Sequence, residues 1–299
     1  MQYSKTPLPI PQQVALLQSR GLLITDADEA ERALARLSYY RLSAYFLSFQ
    51  VPNDSGHTFR PGTTFAQALR LYEFDEELRQ LVFRATGTIE VALRAQLAYQ
   101  NSLLLGPHWY EDPAAAVNPF RFQENLHGLD KDLARASEVF LDHYRATYTD
   151  PRRPPSWMSL EVASFGLTSK FLNNLRSSPA TVAIGAFFGV DETVLKSWTR
   201  TLSYVRNICA HHARLWNRVL TVKPKLPRRT AYRWLANPHI SDSRLYSVLA
   251  LSAYLLTAID PPTGQRFKQQ MRALLTRNPA VSARVMGFPL GWERDDFWE

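Results

Sequence analysis

Residues 64–105 read TFAQALRLYEFDEELRQLVFRATGTIEVALRAQLAYQNSLLL, and this stretch decides the fold class. Leu71, Phe74, Leu78, Leu81, Val82, Ile89, Leu93 and Leu97 recur at steps near three and four. That is the period of one buried helical face, whereas a strand would alternate in twos. Gly87 is the only interruption, so the pattern predicts one long helix or two kinked there. Glu90 and Arg94 stand one turn apart and form a modest intrahelical pair.

Working outward, the same period continues. Ile10–Leu22 and Asp26–Leu37 read as helices, the second with Asp26 and Asp28 as candidate N-caps, and it leads into the aromatic stretch YYRLSAYFLSF at 39–49. Helical spacing makes those aromatics core residues before base-stacking ones. Residues 51–62, with Pro, Asn, Asp and Gly, form a loop or short hairpin. Further helices are expected at Pro119–Tyr148, Trp157–Leu175, Thr181–Phe188, Glu192–Val219, Ser241–Ala258 and Gly264–Thr276, followed by an irregular tail. Trp157, Glu161 and Phe165 fall on one face of their helix and are expected to pack the bundle. Convincing period-2 patterns are few, so the chain reads as all-α. The expected division is an N-terminal helical region (1–60), a helical core (61–220) and a basic loop with C-terminal helices (221–299), or one continuous domain.

Composition bounds the function. The 299 residues hold apolar content enough for a real core. The single cysteine, Cys209, excludes an intrachain disulfide and a multi-cysteine zinc site, and no histidine shows ligand spacing, so neither metal nor cofactor is expected. The first residues lack an apolar leader and no later run could span a membrane, which points to a cytoplasmic protein. The net charge is +8, yet residues 193–241 alone carry ten Lys and Arg and no acid. The rest of the chain is therefore slightly acidic, and the basic segment either faces a polyanion or is a solvated face.

Inside that segment lies RNICAHHARLW, residues 206–216. On a helical wheel Trp198, Leu202, Val205, Cys209, His212 and Trp216 share one stripe, expected to be buried, with His212 a core histidine and Cys209 a small filler. A polar stripe carries Arg200, Ser203 or Tyr204, Asn207, His211, Arg214 and Arg218. Asn207, one turn before His211, can hold its imidazole in one tautomer, and Arg206 sits at the border beside the small residues Ala210 and Ala213. One Arg, one Asn and one His suffice for phosphodiester cleavage of RNA, because the ribose 2′-hydroxyl supplies the nucleophile. The histidine moves protons and the guanidinium stabilises the crowded phosphate.

These residues carry a resemblance. RNICAHHARLWNR at 206–218 resembles the R-x4–6-H signature of the HEPN superfamily of helical ribonucleases. YYRLSAYFLSF (39–49), YEFDEELRQLV (72–82), IEVALRAQLAY (89–99) and PSWMSLEVASFGLTSKFLNNL (155–175) are similar, in the same order, to the Abi family of bacterial abortive-infection proteins (AbiD/AbiF-like). The resemblance covers roughly residues 11–220. It implies a HEPN-like helical bundle with additional N- and C-terminal helices, and a toxic role in phage defence. It also implies metal-independent RNA cleavage with Arg206 on the phosphate, His211 as acid or base and Asn207 in support. A homodimer that joins two motif helices, and a small noncoding RNA as a restraining partner, are implied as well.

RNA contacts are expected from Arg200, Arg214, Arg218, Lys223, Lys225, Arg228 and Arg229. Two alternatives stand beside the ribonuclease. One is a noncatalytic RNA-binding protein that grips a structured RNA through residues 193–241, and the other is a helical interaction module with a merely solvated basic face.

Overall fold

The structure, a computed structural model, describes Gln2, residues 6–237 and residues 239–299. Twelve α-helices and no β-strand occur among the described residues, so the expected all-α class holds. Two compact units divide the chain, Met1–Glu77 and Leu78–Glu299.

The first unit contains α1 (Ile10–Ser19), α2 (Ala27–Leu37), α3 (Tyr39–Phe46) and the start of α4 (Phe65–Leu105). Asp26 caps α2 by accepting from the Glu29 amide at 2.8 Å. The aromatic stretch is core, as its spacing indicated: Tyr45 and Phe46 are buried, and Phe46 meets Phe59 and Phe65. Tyr40 and Leu47 break the pattern, being 89% and 60% exposed. Tyr45 donates its hydroxyl proton to buried Asp75 at 2.6 Å. Residues 51–62 turn back through a single antiparallel bridge between Gln50 and Phe59.

Helix α4 is continuous over 41 residues and Gly87 does not break it. In the second unit follow α5 (Pro119–Arg135), α6 (Val139–Thr147), α7 (Ser156–Val162), α8 (Phe165–Asn174), α9 (Pro179–Phe187), α10 (Glu192–Ala210), α11 (Leu245–Ile259) and α12 (Pro261–Arg277). Two helices expected to be single are each two. The first breaks between Arg135 and Val139, and the second at Ala163–Ser164, where Ser164 caps α8 by accepting from the Leu167 amide. That break separates Phe165, which is fully buried, from Trp157 and Glu161, which are exposed. The three therefore do not share a packed face.

Helix α10 lies against α8, α9 and α11, and α11 packs along α12. Gly264 allows that last approach, since a Cβ there would fall 2.6 Å from the Thr257 Cα. Every residue of α11 from Leu245 to Leu256 is buried. The C-terminal tail is three short 3-10 turns rather than a loose end, with Phe288, Trp298 and Trp292 clustered around Tyr246. Between α10 and α11 lies a long irregular segment, yet it is anchored. Leu215, Trp216, Leu220 and Leu235 are buried, Trp198 stacks on Trp234 with centroids 5.4 Å apart, and Ala231 donates its amide to Gly189.

Candidate functional site

Helix α10 begins at Asp191, whose carboxylate accepts from the amides of Thr193 and Val194 and from the Thr193 hydroxyl. Those hydrogen bonds, the Thr193 side chain first, hold the Asp191 carboxyl below its ordinary value. Trp198, Leu202, Val205 and Cys209 are buried along one face, as the wheel required, and Ile208 is buried beside them. Arg200 and Asn207 are exposed on the other, with Tyr204 half-buried between them.

The helix does not reach Val219. It ends at Ala210 in a Schellman closure: the His212 amide donates to the Cys209 carbonyl and the Ala213 amide to the Ile208 carbonyl, both at 3.0 Å. His211 is the C-cap, and His212 takes the following position with φ 53°, in the left-handed region where glycine is usual. The wheel assigns His212 to the core, but the reversal at Ala210 puts it on the surface, so both histidines are exposed. Trp216 remains buried, brought in by the turn rather than by helical phase. The segment after the turn folds back on the helix. Burial pushes the Tyr204 phenol up, but hydrogen bonding with Thr221 and Arg218 outweighs it and leaves the group below its ordinary value.

Arg206 is held from several sides. Its Nη1 donates to Asn207 Oδ1 at 3.3 Å, its Nη2 lies 3.7 Å from Glu90 Oε2, and its guanidinium carbon is 6.0 Å from the Phe83 ring centroid. Glu90 is buried and also ion-paired with Arg94, which donates to the Ala163 carbonyl at 2.6 Å. Burial raises the Glu90 carboxyl above its ordinary value, against the pull of Arg94 and Arg206. The i,i+4 spacing of Glu90 and Arg94 was legible. Its third member, Arg206, was not, because it comes from another helix.

The basic residues are spread along α10. Arg214 and Arg218 lie just past the turn, where Arg218 Nε donates to the Arg214 carbonyl. Arg200 stands mid-helix. Lys225 lies beside the start of α10, donating its amide to Ser197 Oγ and, at 3.5 Å, its Nζ to Thr193 Oγ1. Arg228 and Arg229 border a groove with Gly189, Val190 and Asp191. Lys223 is engaged elsewhere, 3.6 Å from Asp242. Lys225, Arg228 and Arg229 are thus at the opposite end of α10 from Arg206 and His211, about 25 Å away at 1.5 Å per residue.

The comparisons bear on this arrangement. The family model described as Abi-like protein matches residues 32–217, more than half of the chain and through the whole of the Arg206–His211 stretch. The chain belongs to the Abi-like protein family. Abi-like membership points to a role in abortive infection, a form of phage defence. Neither the curated proteins nor the solved structures contain a match to this Abi-like chain. Among its described residues no helix is long and apolar enough to cross a membrane.

Proposed function

We propose that this Abi-like protein is an endoribonuclease that cuts RNA without a metal ion, through Arg206, His211 and Asn207. The observation that carries the reading is the convergence at the end of α10. There a guanidinium braced by Glu90 and Asn207 stands five and six residues before two exposed imidazoles, at one end of a helix lined with cationic residues. The chemistry fits the residue types. Arg206 neutralises the phosphate as the 2′-oxygen attacks, and His211 moves protons, an effect worth about 10²–10⁴ in rate. The cationic residues along α10 suit a strand of several nucleotides.

The working form is a homodimer that brings two motif ends together. In favour of it stands a row at steps of four along α4, Phe83, Gly87, Val91, Ala95, Tyr99 and Leu103. Its large members are 46–70% exposed, and it begins at the ring over which Arg206 lies. Activity is held in check by a small noncoding RNA bound to the same basic face.

The test is an RNA-cleavage assay in EDTA with purified protein. Wild type yields fragments ending in 2′,3′-cyclic phosphate, and His211→Ala loses at least about 10²-fold in rate while keeping its melting temperature. Chelator-sensitive cleavage, or a fully active His211→Ala, would overturn the mechanism. A second reading draws on the placement of Lys225, Arg228 and Arg229 far from the motif: a noncatalytic grip on a structured RNA. It predicts salt-dependent affinity unaffected by His211→Ala and no scission.

A further inference from the structure

Trp157 and Glu161, one turn apart on α7, are left exposed where the sequence expects them to pack, and they line a cleft against α4. The two helices run antiparallel there. Ser156 shares a hydrogen bond with Ser102 at one end, and Arg94 donates to the Ala163 carbonyl at the other. The cleft holds about 370 Å³ above a floor of buried Ala98 and Leu160. Its rim carries Trp157, 52% exposed, and Tyr99, 58% exposed, and neither ring meets another aromatic among the described residues. Two charged groups complete it. Glu161 makes no hydrogen bond or ion pair among the described residues. Arg94 spends Nη2 on Glu90 and the Ala163 carbonyl, and its Nε is buried with no acceptor.

We infer that this cleft is a guanine-base pocket, which takes a guanine of an RNA strand or of a free nucleotide. Aromatic faces on the rim of a cleft this size stack a base of any kind. The two charged groups select among the four. A carboxylate only accepts, and guanine alone presents two neighbouring donor atoms, N1–H and the N2 amino group, on one edge. A guanidinium only donates, and the other edge of guanine presents O6 and N7. The rival occupant is a second copy of the chain, since Ala95, Tyr99 and Leu103 belong both to the cleft and to the exposed α4 row. That row would cover the rings but leave Glu161 without a partner, whereas guanine answers rings and charges together. The pocket also adjoins the motif. Arg94 pairs with Glu90, which pairs with Arg206, and Glu90 and Arg94 are about 6 Å apart along α4 at 1.5 Å per residue. A base held here on a strand lies close to the phosphate that Arg206 would meet. Its use in choosing the cut rests on the ribonuclease reading; the pocket itself does not.

The test is calorimetric titration of the full chain with the four nucleoside 5′-monophosphates, and with short 2′-O-methyl RNA oligomers, which cannot be cut through the 2′-oxygen, carrying one guanine or none. Guanosine monophosphate should bind at least about tenfold tighter than the other three. Trp157→Ala should weaken all four about tenfold, with Tyr99→Ala repeating the loss if the first variant folds poorly. Glu161→Gln should cut the guanine preference to about twofold or less while keeping the melting temperature, since its side chain is exposed. A guanine oligomer at least about tenfold tighter than guanosine monophosphate assigns the pocket to the strand, and a smaller gain assigns it to a free nucleotide. The inference is overturned if neither the nucleotide nor the guanine oligomer gains over the other bases, or if Glu161→Gln keeps the preference. It is overturned too if Trp157→Ala leaves nucleotide affinity unchanged and weakens self-association, which gives the cleft to a second copy. Guanine binding by a protein that leaves ordinary RNA intact in EDTA keeps the pocket and removes the ribonuclease reading, and cleavage without guanine preference does the reverse.

Discussion

Glu90 on α4 reaches Arg206 on α10 at 3.7 Å, and this contact ties the longest helix to the motif. Because burial raises the Glu90 carboxyl, the folded protein holds its proton more tightly than the unfolded chain. That stabilisation is complete below the ordinary glutamate range and is lost as the pH rises through the folded-state value. Glu90→Gln should therefore flatten the dependence of stability on pH over the range above about 4.5. Melting curves of the two proteins across that range check it. Slopes that coincide would show that Glu90 does not titrate against its burial.

Gly87 sits in the middle of a long helix, and beyond the helix's own backbone a Cβ there would meet no described atom within 4 Å. Gly87→Ala should raise the stability of the isolated chain by about 1 kcal/mol, measured by denaturant unfolding. If two copies pack through the row from Phe83 to Leu103, the same methyl stands in the contact. Sedimentation should then show weaker self-association of Gly87→Ala, whereas unchanged association would place the dimer contact elsewhere.

Among the described residues Asp191 is the one acid bordering the groove of Arg228 and Arg229, and it is also the N-cap of α10. Its carboxyl is held below the ordinary value, so the stability it adds is present above the unfolded aspartate range and is lost as the pH falls through the folded-state value. Asparagine caps as well as aspartate. Asp191→Asn should keep stability at pH 7 within about 0.5 kcal/mol, lessen its fall in acid and tighten RNA binding about threefold at low salt. RNA affinity that does not change would mean that the groove does not meet the strand.

Trp234 stacks on Trp198 and also meets Tyr254 and Phe297 edge-on, so it fastens the irregular segment to α10 and α11. Trp234→Ala should cost about 2–3 kcal/mol and speed proteolysis within residues 221–244. Protection of that segment equal to wild type would show that other contacts suffice.

Much of this was legible in the sequence where period and burial coincide. The α4 pattern from Leu71 to Leu97 and the buried face of α10 from Trp198 to Cys209 need only the 3.6-residue repeat. Helix ends were harder. Ala163–Ser164 breaks a run whose apolar spacing continues through it, and α10 closes at His212 without the glycine that normally signals a Schellman turn. Trp216 deepened the error, because it is buried and lies seven residues past Cys209, the spacing a continuing helix would show. The Glu90–Arg206 contact left no local trace, since it depends on how two helices distant in sequence lie together.

The family match ends at Asn217, but the packing of α10 does not. Trp198 donates its indole N–H to the Lys225 carbonyl and packs against Trp234 and Tyr254, all beyond that point, and Tyr254 in turn donates to the Gly189 carbonyl. A protein cut at the end of the matched span would carry the whole motif on a helix with a bare tryptophan side. For anyone building a minimal version, the recognisable part and the foldable part have different lengths, and the aromatic wedge behind α10 sets the longer one.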